Sequence, residues 1–237
     1  MRKLSIIIPV YNERATVAQI IERVKNVDLG IIEKEIIVVD DGSSDGSQEI
    51  LDSIPNIKLA KHATNSGKGS AIRTGLASAT GDFCVIQDAD LEYDPNDFKN
   101  MIAKTGEKVG ENEVDVVYGS RRLPKPGQVS EQGQWYYYLG GVYLTSLANL
   151  LYGTHITDEP TCYKMFKTDL IKSLKLEATG FEFCPEVTAK VARKGIEIHE
   201  VPISYHPRTA SEGKKIKLKD ALIATWVLVK NKFSSPS

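Results

Sequence analysis

Apolar and polar positions alternate in blocks through the first half of the chain. Residues 4–10 (LSIIIPV) are a continuous apolar, β-branched run, the pattern of a strand covered on both faces. Val17, Ile20, Ile21, Val24 and Val27 then repeat at helical spacing, with Asn12 as the candidate N-cap. Residues 35–39 (EIIVV) predict a second buried strand, and Ile50 and Leu51 a short helix after it. Residues 57–60 predict a third strand, and Ala71, Ile72, Leu76 and Ala77 the next helix face, closed by Gly81. Residues 83–86 read as a fourth strand, Phe98, Met101 and Ile102 as a helix, and residues 114–118 as a fifth strand. This alternation predicts an α/β fold: βαβ units in a mostly parallel, Rossmann-like sheet with helices on both faces.

The second half has a different texture. Residues 132–157 hold no formally charged side chain, and 135–152 are aromatic and aliphatic with Thr145, Ser146 and Asn149 interspersed. That stretch is too polar for a spanning helix. Clustered Trp and Tyr suit a membrane interface, and equally a helix pair packed on the sheet. Residues 158–166 read as a loop entering a strand, 181–193 as a helix with Pro185 near its first turn, and 198–205 as a late strand. The last helix covers about 218–233. Its uncharged centre, 221–229, is too short to cross a bilayer, and Lys215, Lys217, Lys219, Lys230 and Lys232 flank it. Basic ends around an apolar face suit an anionic surface, and also an ordinary docked helix.

In open parallel sheets, ligands bind outside the carboxyl ends of the strands. Here those ends carry Tyr11-Asn12-Glu13, Asp40-Asp41-Gly42-Ser43, Asn65 to Lys68, and Asp88-Ala89-Asp90, all on one expected rim. The last is the most informative. An apolar strand runs into two aspartates, then Glu92 and Asp94-Pro95. In extended chain, i and i+2 point the same way, so Asp88 and Asp90 face one point, with Glu92 next along. Like charges so placed repel unless a cation joins them. Mg²⁺ or Mn²⁺ takes such oxygen ligands and keeps positions open for phosphate. The alternative is a solvated acidic turn that starts a helix. Known phosphate loops are absent: Gly67-Lys68 is followed by Gly69 and preceded at the fifth position by His62, so the Walker pattern fails, and no G-x-G-x-x-G follows the first strand.

Bulk composition changes little. The 237 residues carry a net charge of −1, so no global field attracts nucleic acid. Cys84, Cys162 and Cys184 have no metal-type spacing and suit free thiols in a reducing compartment. Pro9, Asn12 and Glu13 interrupt the N-terminal apolar run, which argues against a signal peptide. The expectation is a cytoplasmic protein, peripheral on the cytoplasmic membrane face if it meets lipid.

Six motifs carry a resemblance: IIIPVYNE (6–13), IIVVDDGSSDGS (36–47), NSGKGSAIRTG (65–75), DADLEYDP (88–95), YGSR (118–121) and PRTASEGKKI (207–216). Together they resemble the family 2 inverting glycosyltransferases of GT-A fold, and within them the dolichyl-phosphate mannosyltransferase-like, polyprenyl-phosphate sugar transferase branch. The resemblance implies one glycosyltransferase domain, with 1–122 binding the nucleotide sugar and 123–237 the acceptor. It implies that Pro9, Tyr11, Glu13, Asp40 and Asp41 hold the nucleoside, and that Lys68, Asp88 and Ala89 line the nucleotide-sugar site. Asp88, Asp90 and Glu92 become ligands of Mg²⁺ or Mn²⁺, with Asp90 and Arg121 in the catalytic set. Arg121, Arg208 and Lys215 would meet phosphates of donor and acceptor. Two positions depart from the branch: Glu92 stands where Gln is common, and Asp158 to Lys164 replace a Thr-Ser-Gly-Phe-Arg type loop.

The reaction so implied moves a hexose from a GDP-mannose or UDP-glucose type donor to a polyprenyl or dolichyl phosphate, with inversion. A phosphate acceptor is already anionic and needs no strong base. A hydroxyl acceptor on a saccharide, glycolipid or protein needs one, and Asp158 is the candidate, then Glu159. A nucleotide-sugar-binding protein without transfer is the remaining alternative.

Overall fold

The computed structural model describes residues 1–109, 112–125, 135–208 and 218–234. Strand β1 (Lys3–Val10) is the centre of the architecture, because its alternate side chains feed two cores. Ile6 and Ile8 enter one apolar cluster with helix α1 (Val17–Asn26), while Ile7 enters the other with helix α3 (Lys68–Ser78). A run of consecutive apolar residues is what a strand covered on both faces requires. Burying each such side chain contributes about 1.5–3 kcal/mol.

Strand β2 (Glu33–Asp40) lies parallel to β1, and β3 (Lys58–Lys61) parallel to β2. A short helix, α2 (Ser47–Ser53), connects them. On the other side, β4 (Phe83–Ile86) runs parallel to β1, followed by a 3-10 turn at Pro95–Asp97 and helix α4 (Phe98–Thr105). Asp94 caps that turn, its carboxylate accepting the Asn96 N–H at 3.0 Å, as the Asp-Pro pair predicts. A two-stranded hairpin of β5 (Lys108–Val109) and β6 (Asn112–Glu113) precedes β7 (Val116–Ser120).

The chain then runs through helix α5 (Trp135–Tyr152), strand β8 (Lys164–Lys167), helix α6 (Thr168–Lys172), helix α7 (Phe183–Arg193), strand β9 (His199–Pro202) and helix α8 (Leu218–Phe233). The seven-stranded sheet has the order β3-β2-β1-β4-β8-β7-β9. Strand β8 is antiparallel to both neighbours, and β9 is parallel to β7. The expected strand at 114–118 sits two residues later, because its partners reach only that far: β8 pairs with Val116 to Tyr118 and β9 with Val117 to Ser120. The expected late strand at 198–205 ends at Pro202, since β9 pairs only with β7. The chain beyond makes one further bridge, Tyr93 to Tyr205. Helices α5, α7 and α8 share a third small core of Leu144, Ala148, Ala189, Ala224 and Leu228.

Candidate active site

The parallel register brings the strand ends together. Val10 lies opposite Asp40, and Asp40 opposite Lys61, so the loops after β1, β2 and β3 emerge on one edge. The first two are sewn to each other. The Asn12 N–H donates to Ser43 Oγ at 3.0 Å, the Ser44 N–H donates to Asn12 Oδ1 at 2.8 Å, and the Glu13 N–H donates to Ser47 Oγ at 2.9 Å. Asn12 therefore does not cap α1. It turns the chain at φ +51°, a left-handed value that Asn tolerates, and Thr16 stands at the N-cap position. Pro9, half-buried, stands next to last in β1, and Tyr11 is exposed at the edge.

Asp40 and Asp41 have different work. Asp41 is buried and fully engaged: Oδ1 accepts the Ser66 N–H at 2.9 Å and faces His62 Nδ1 at 2.6 Å, and Oδ2 accepts the Gly67 N–H at 2.8 Å. It shapes the loop that starts α3. Gly67 is required there: φ is +94°, and a Cβ would stand 2.3 Å from the Thr179 carbonyl oxygen. Asp40 is equally buried, yet while Oδ1 accepts the Ser43 N–H at 3.2 Å, Oδ2 has no hydrogen-bond partner among the described residues. A buried acceptor left open at a ligand edge fits a donor group on a bound molecule.

The loop after β4 holds the carboxylates, and Asp88 and Asp90 each face a cation. Lys68, the first residue of α3, sets its ammonium 2.5 Å from Asp88 Oδ1, and the same Nζ lies 3.0 Å from Cys162 Sγ. The Asp88 charge raises the Lys68 pKa against the lowering effect of burial. Arg208 Nη2 lies 3.3 Å from Asp90 Oδ2 and 3.0 and 3.1 Å from the two carboxylate oxygens of Glu13. Ala89 between the aspartates is buried in the first core. Glu92 has both oxygens occupied: Oε1 accepts the Arg208 N–H at 2.7 Å and Oε2 the Tyr205 hydroxyl at 3.1 Å. Among the described residues, no group of three or more His, Cys, Asp or Glu side chains converges as a metal cage. Asp88 and Asp90 nevertheless fit a hard divalent cation. Both are hard oxygen donors of the kind such an ion takes, and each is paired here with a cationic side chain that an ion would have to displace.

Arg121 follows β7 and makes a bidentate pair with Asp158. Nε donates to Oδ2 and Nη2 to Oδ1, both at 2.7 Å, and the Arg121 N–H reaches Oδ2 at 3.0 Å. Asp158 has no solvent exposure. Burial alone would raise its pKa, but the Arg121 guanidinium outweighs that and holds the carboxyl below its usual range. Glu200 fixes the loop by accepting the N–H groups of Thr157 at 2.7 Å and Asp158 at 3.1 Å. The Arg121 guanidinium also sits 5.0 Å from the Tyr205 ring centroid. Arg122 turns away, donating to the Thr157 carbonyl at 3.0 Å and lying over the Tyr138 ring at 5.2 Å. Lys215 lies outside the described residues.

Glu159 is the other unusual acid. It is fully buried, Oε1 accepts the Thr188 hydroxyl at 3.2 Å, and Oε2 has no partner among the described residues. Burial pushes its pKa up to about 7, although Lys164 opposes the shift. The folded state therefore keeps this proton longer than the unfolded chain. The stability so gained is present below the ordinary carboxyl pKa and is lost as pH rises through about 7. Glu159→Gln stays neutral throughout. It is expected to leave stability unchanged near pH 4 and to raise it by about 3 kcal/mol at pH 8, read as a higher melting temperature at the upper pH only.

Four site residues carry no sequence signal of their own. Cys162, Glu200, Tyr205 and Arg122 enter through contacts across long stretches of chain. Two of them lie beside motifs: Arg122 directly after YGSR (118–121), and Tyr205 two residues before the Pro207-Arg208 pair.

The family model described as Glycosyl transferase family 2 matches residues 5–175. The chain is 30% identical over 209 residues to a low-salt glycan biosynthesis hexosyltransferase of Haloferax volcanii, covering 86% of this chain and 48% of that protein. It is 30% identical over 220 residues to a dolichol-phosphate mannosyltransferase of Pyrococcus furiosus, covering 90% of this chain and 59% of that protein. An undecaprenyl-phosphate mannosyltransferase of Micrococcus luteus is 28% identical over 90% of this chain and 87% of its own length. The chain thus spans about half of the first two relatives, 48% and 59%. Among solved structures, glucosyl-3-phosphoglycerate synthase from Mycobacterium tuberculosis, in complex with Mn²⁺, uridine diphosphate and phosphoglyceric acid, superposes with TM-score 0.73 at 21% identity, over 100% of this chain and 80% of that one. The sheet topology and this likeness place the fold in the GT-A class.

Proposed function

We propose a function from one premise: the chain belongs to glycosyl transferase family 2. The protein transfers a hexose from a nucleoside-diphosphate sugar to a polyprenyl phosphate, with inversion at the anomeric carbon. The observation that carries the choice of acceptor is the buried bidentate pair of Arg121 and Asp158. A carboxylate so held, with its pKa lowered, is a poor proton acceptor for a hydroxyl. An anionic phosphate oxygen needs no such acceptor.

Bond cleavage at the sugar leaves negative charge on the nucleoside diphosphate. A divalent cation, Mg²⁺ or Mn²⁺ held by Asp88 and Asp90, supplies Lewis-acid neutralisation of that charge when bound. The chain's own residues do the rest. Asp40 Oδ2 and Glu13 receive donor groups of the nucleoside at the edge formed by β1 and β2. Lys68 and Arg208 stand beside the aspartates, within reach of diphosphate oxygens. Arg121, braced by Asp158 and Tyr205, supplies a guanidinium to the acceptor phosphate. Most of these donor contacts lie in 1–122, but Arg208 joins them from 123–237, and Arg121, the acceptor contact, belongs to 1–122.

A lipid acceptor brings the protein to a membrane surface. No helix among the described residues is long and apolar enough to span one. Instead, α5 and α8 expose parallel apolar stripes at the same helical spacing: Leu139, Tyr143 and Leu150 on one, Leu222, Trp226 and Phe233 on the other. Leu150 is 82% and Phe233 80% exposed, and the Thr225 hydroxyl donates to the Tyr143 hydroxyl at 3.4 Å between the two helices. Lys219, Lys230 and Lys232 supply positive charge along α8. The Leu222→Ser, Trp226→Ser double variant is expected to bind vesicles containing phosphatidylglycerol about 100-fold more weakly, with an unchanged circular dichroism spectrum. Equal flotation of variant and wild type would remove this face from the reading.

A second reading has one observation behind it. The solved neighbour was crystallised with phosphoglyceric acid, a small molecule that carries both phosphate and hydroxyl. For a hydroxyl, Asp158 must release Arg121. The deciding experiment incubates purified protein with Mn²⁺, a panel of GDP- and UDP-sugars, and either a polyprenyl phosphate in detergent or phosphoglyceric acid. Acid-labile lipid-linked sugar is the expected product. Nucleotide release only with the small acceptor would favour the second reading. Tight donor binding with no product on any acceptor, and no hydrolysis, would leave a binding protein.

A further inference from the structure

We infer that Arg208 is a resident cation of the donor site, and that it makes divalent-ion binding conditional on the nucleoside diphosphate. The inference rests on the reading of Asp88 and Asp90 as the place where ion and diphosphate meet.

Three observations support it. First, the guanidinium stands where positive charge is wanted. Its Nη2 is 3.0 and 3.1 Å from the Glu13 oxygens and 3.3 Å from Asp90 Oδ2. The three side chains are 18%, 10% and 21% exposed, so solvent screens these pairs only in part. Second, Arg208 is not there by the reach of a loose side chain. Glu92 pins the segment that carries it, accepting the Arg208 N–H at 2.7 Å and the Tyr205 hydroxyl at 3.1 Å, while the Glu92 carbonyl accepts the His206 N–H at 2.9 Å. That last bond belongs to the antiparallel bridge between Tyr93 and Tyr205. The same turn that supplies Asp90 therefore supplies the anchor for Arg208. Third, Lys68 does the same for Asp88 at 2.5 Å, so each aspartate of the pair already has its counter-charge.

A divalent ion arriving alone must approach Asp90 against a fixed guanidinium. An ion arriving with a diphosphate meets a different balance. The phosphate oxygens offer Arg208 a bidentate partner at least as good as Glu13, and Asp90 is released to the ion. Ion and nucleotide then favour each other's binding by one shared coupling. In this account Glu92 is a positioning residue for Arg208 rather than an ion ligand.

The test follows Mn²⁺ binding through the electron paramagnetic resonance signal of the free ion, with and without GDP or UDP. Wild type is expected to bind Mn²⁺ alone weakly and at least 100-fold more tightly with the matching nucleotide. Arg208→Gln is expected to bind Mn²⁺ alone at least 10-fold more tightly than wild type, and the enhancement by nucleotide to shrink by the same factor or more. Arg208→Lys, which keeps the charge, is expected to resemble wild type. Thermal melts confirm that each variant folds. Arg208→Gln binding Mn²⁺ alone no better than wild type, while both gain affinity with nucleotide, overturns the inference and leaves the proposed function standing. Wild type showing equal Mn²⁺ affinity with and without nucleotide also overturns it, and does not depend on any variant. Absence of Mn²⁺ binding with every nucleotide removes the donor site as read, and with it the proposed function.

Discussion

Arg121→Ala is expected to cost about 3–5 kcal/mol of folding stability and to abolish transfer. The reason is not the lost contact alone. Asp158 has no solvent exposure, and three N–H groups of Arg121 satisfy its two oxygens. Removing the guanidinium leaves a carboxylate charge buried with only the Arg121 backbone N–H of those three. The pH dependence gives the sign. In the wild type the Asp158 pKa is lowered, so the pair lends stability above the ordinary carboxyl pKa and loses it on acidification. The variant lacks that contribution, so its deficit is largest near neutrality and shrinks toward pH 4. Urea denaturation at both pH values checks this. The double variant Arg121→Met, Asp158→Leu separates structure from chemistry: it is expected to recover most of the stability and none of the transfer. Recovery of transfer as well would show that neither side chain touches the reacting groups.

Asp90→Asn is the second large effect, and of the opposite kind. Transfer is expected to fall by about 100- to 1000-fold or more, because negative charge is removed where the ion and leaving diphosphate are balanced. Folding is expected to change by less than about 1 kcal/mol, since surface-type substitutions that keep a hydrogen-bond acceptor are mild. The amide oxygen still accepts the Glu92 N–H, which Asp90 Oδ1 meets at 3.1 Å. A steady-state assay at saturating Mn²⁺, with a thermal melt of the same preparation, reads both numbers. Loss of transfer accompanied by a large fall in melting temperature would mean that Asp90 organises the turn rather than the reaction. The turn does hold some strain: Leu91, next along, sits at φ +64°.

Much of the fold is legible from local pattern. The last helix, at about 218–233, is found as α8 (Leu218–Phe233), and the four N-terminal strands lie within two residues of their expected positions. The reason is short range. Burial on both faces imposes an unbroken apolar run on a strand, and burial on one face imposes the helical repeat. The edge that carries Glu13, Asp40, Lys68 and Asp88 follows as well, because parallel strands with crossovers must end on the same side.

What the chain's pattern left open lies in pairs far apart in sequence. Nothing in the residues of β8 states that it runs antiparallel between β4 and β7, since alternation has no direction. Asp158 reads as a free loop acid until folding brings Arg121 onto it across 37 residues. Glu92 reads as a third ligand beside Asp88 and Asp90, until the segment from Tyr205 to Arg208 arrives from more than 100 residues away and occupies both oxygens. The helix at 135–152 reads equally as core or as surface until α8 covers one side of it and leaves Leu139, Tyr143 and Leu150 in solvent. Sequence periodicity reports which face of an element is buried. It carries no record of which distant charge that burial brings within 3 Å, and in this protein those distant charges decide which carboxylates are free to bind.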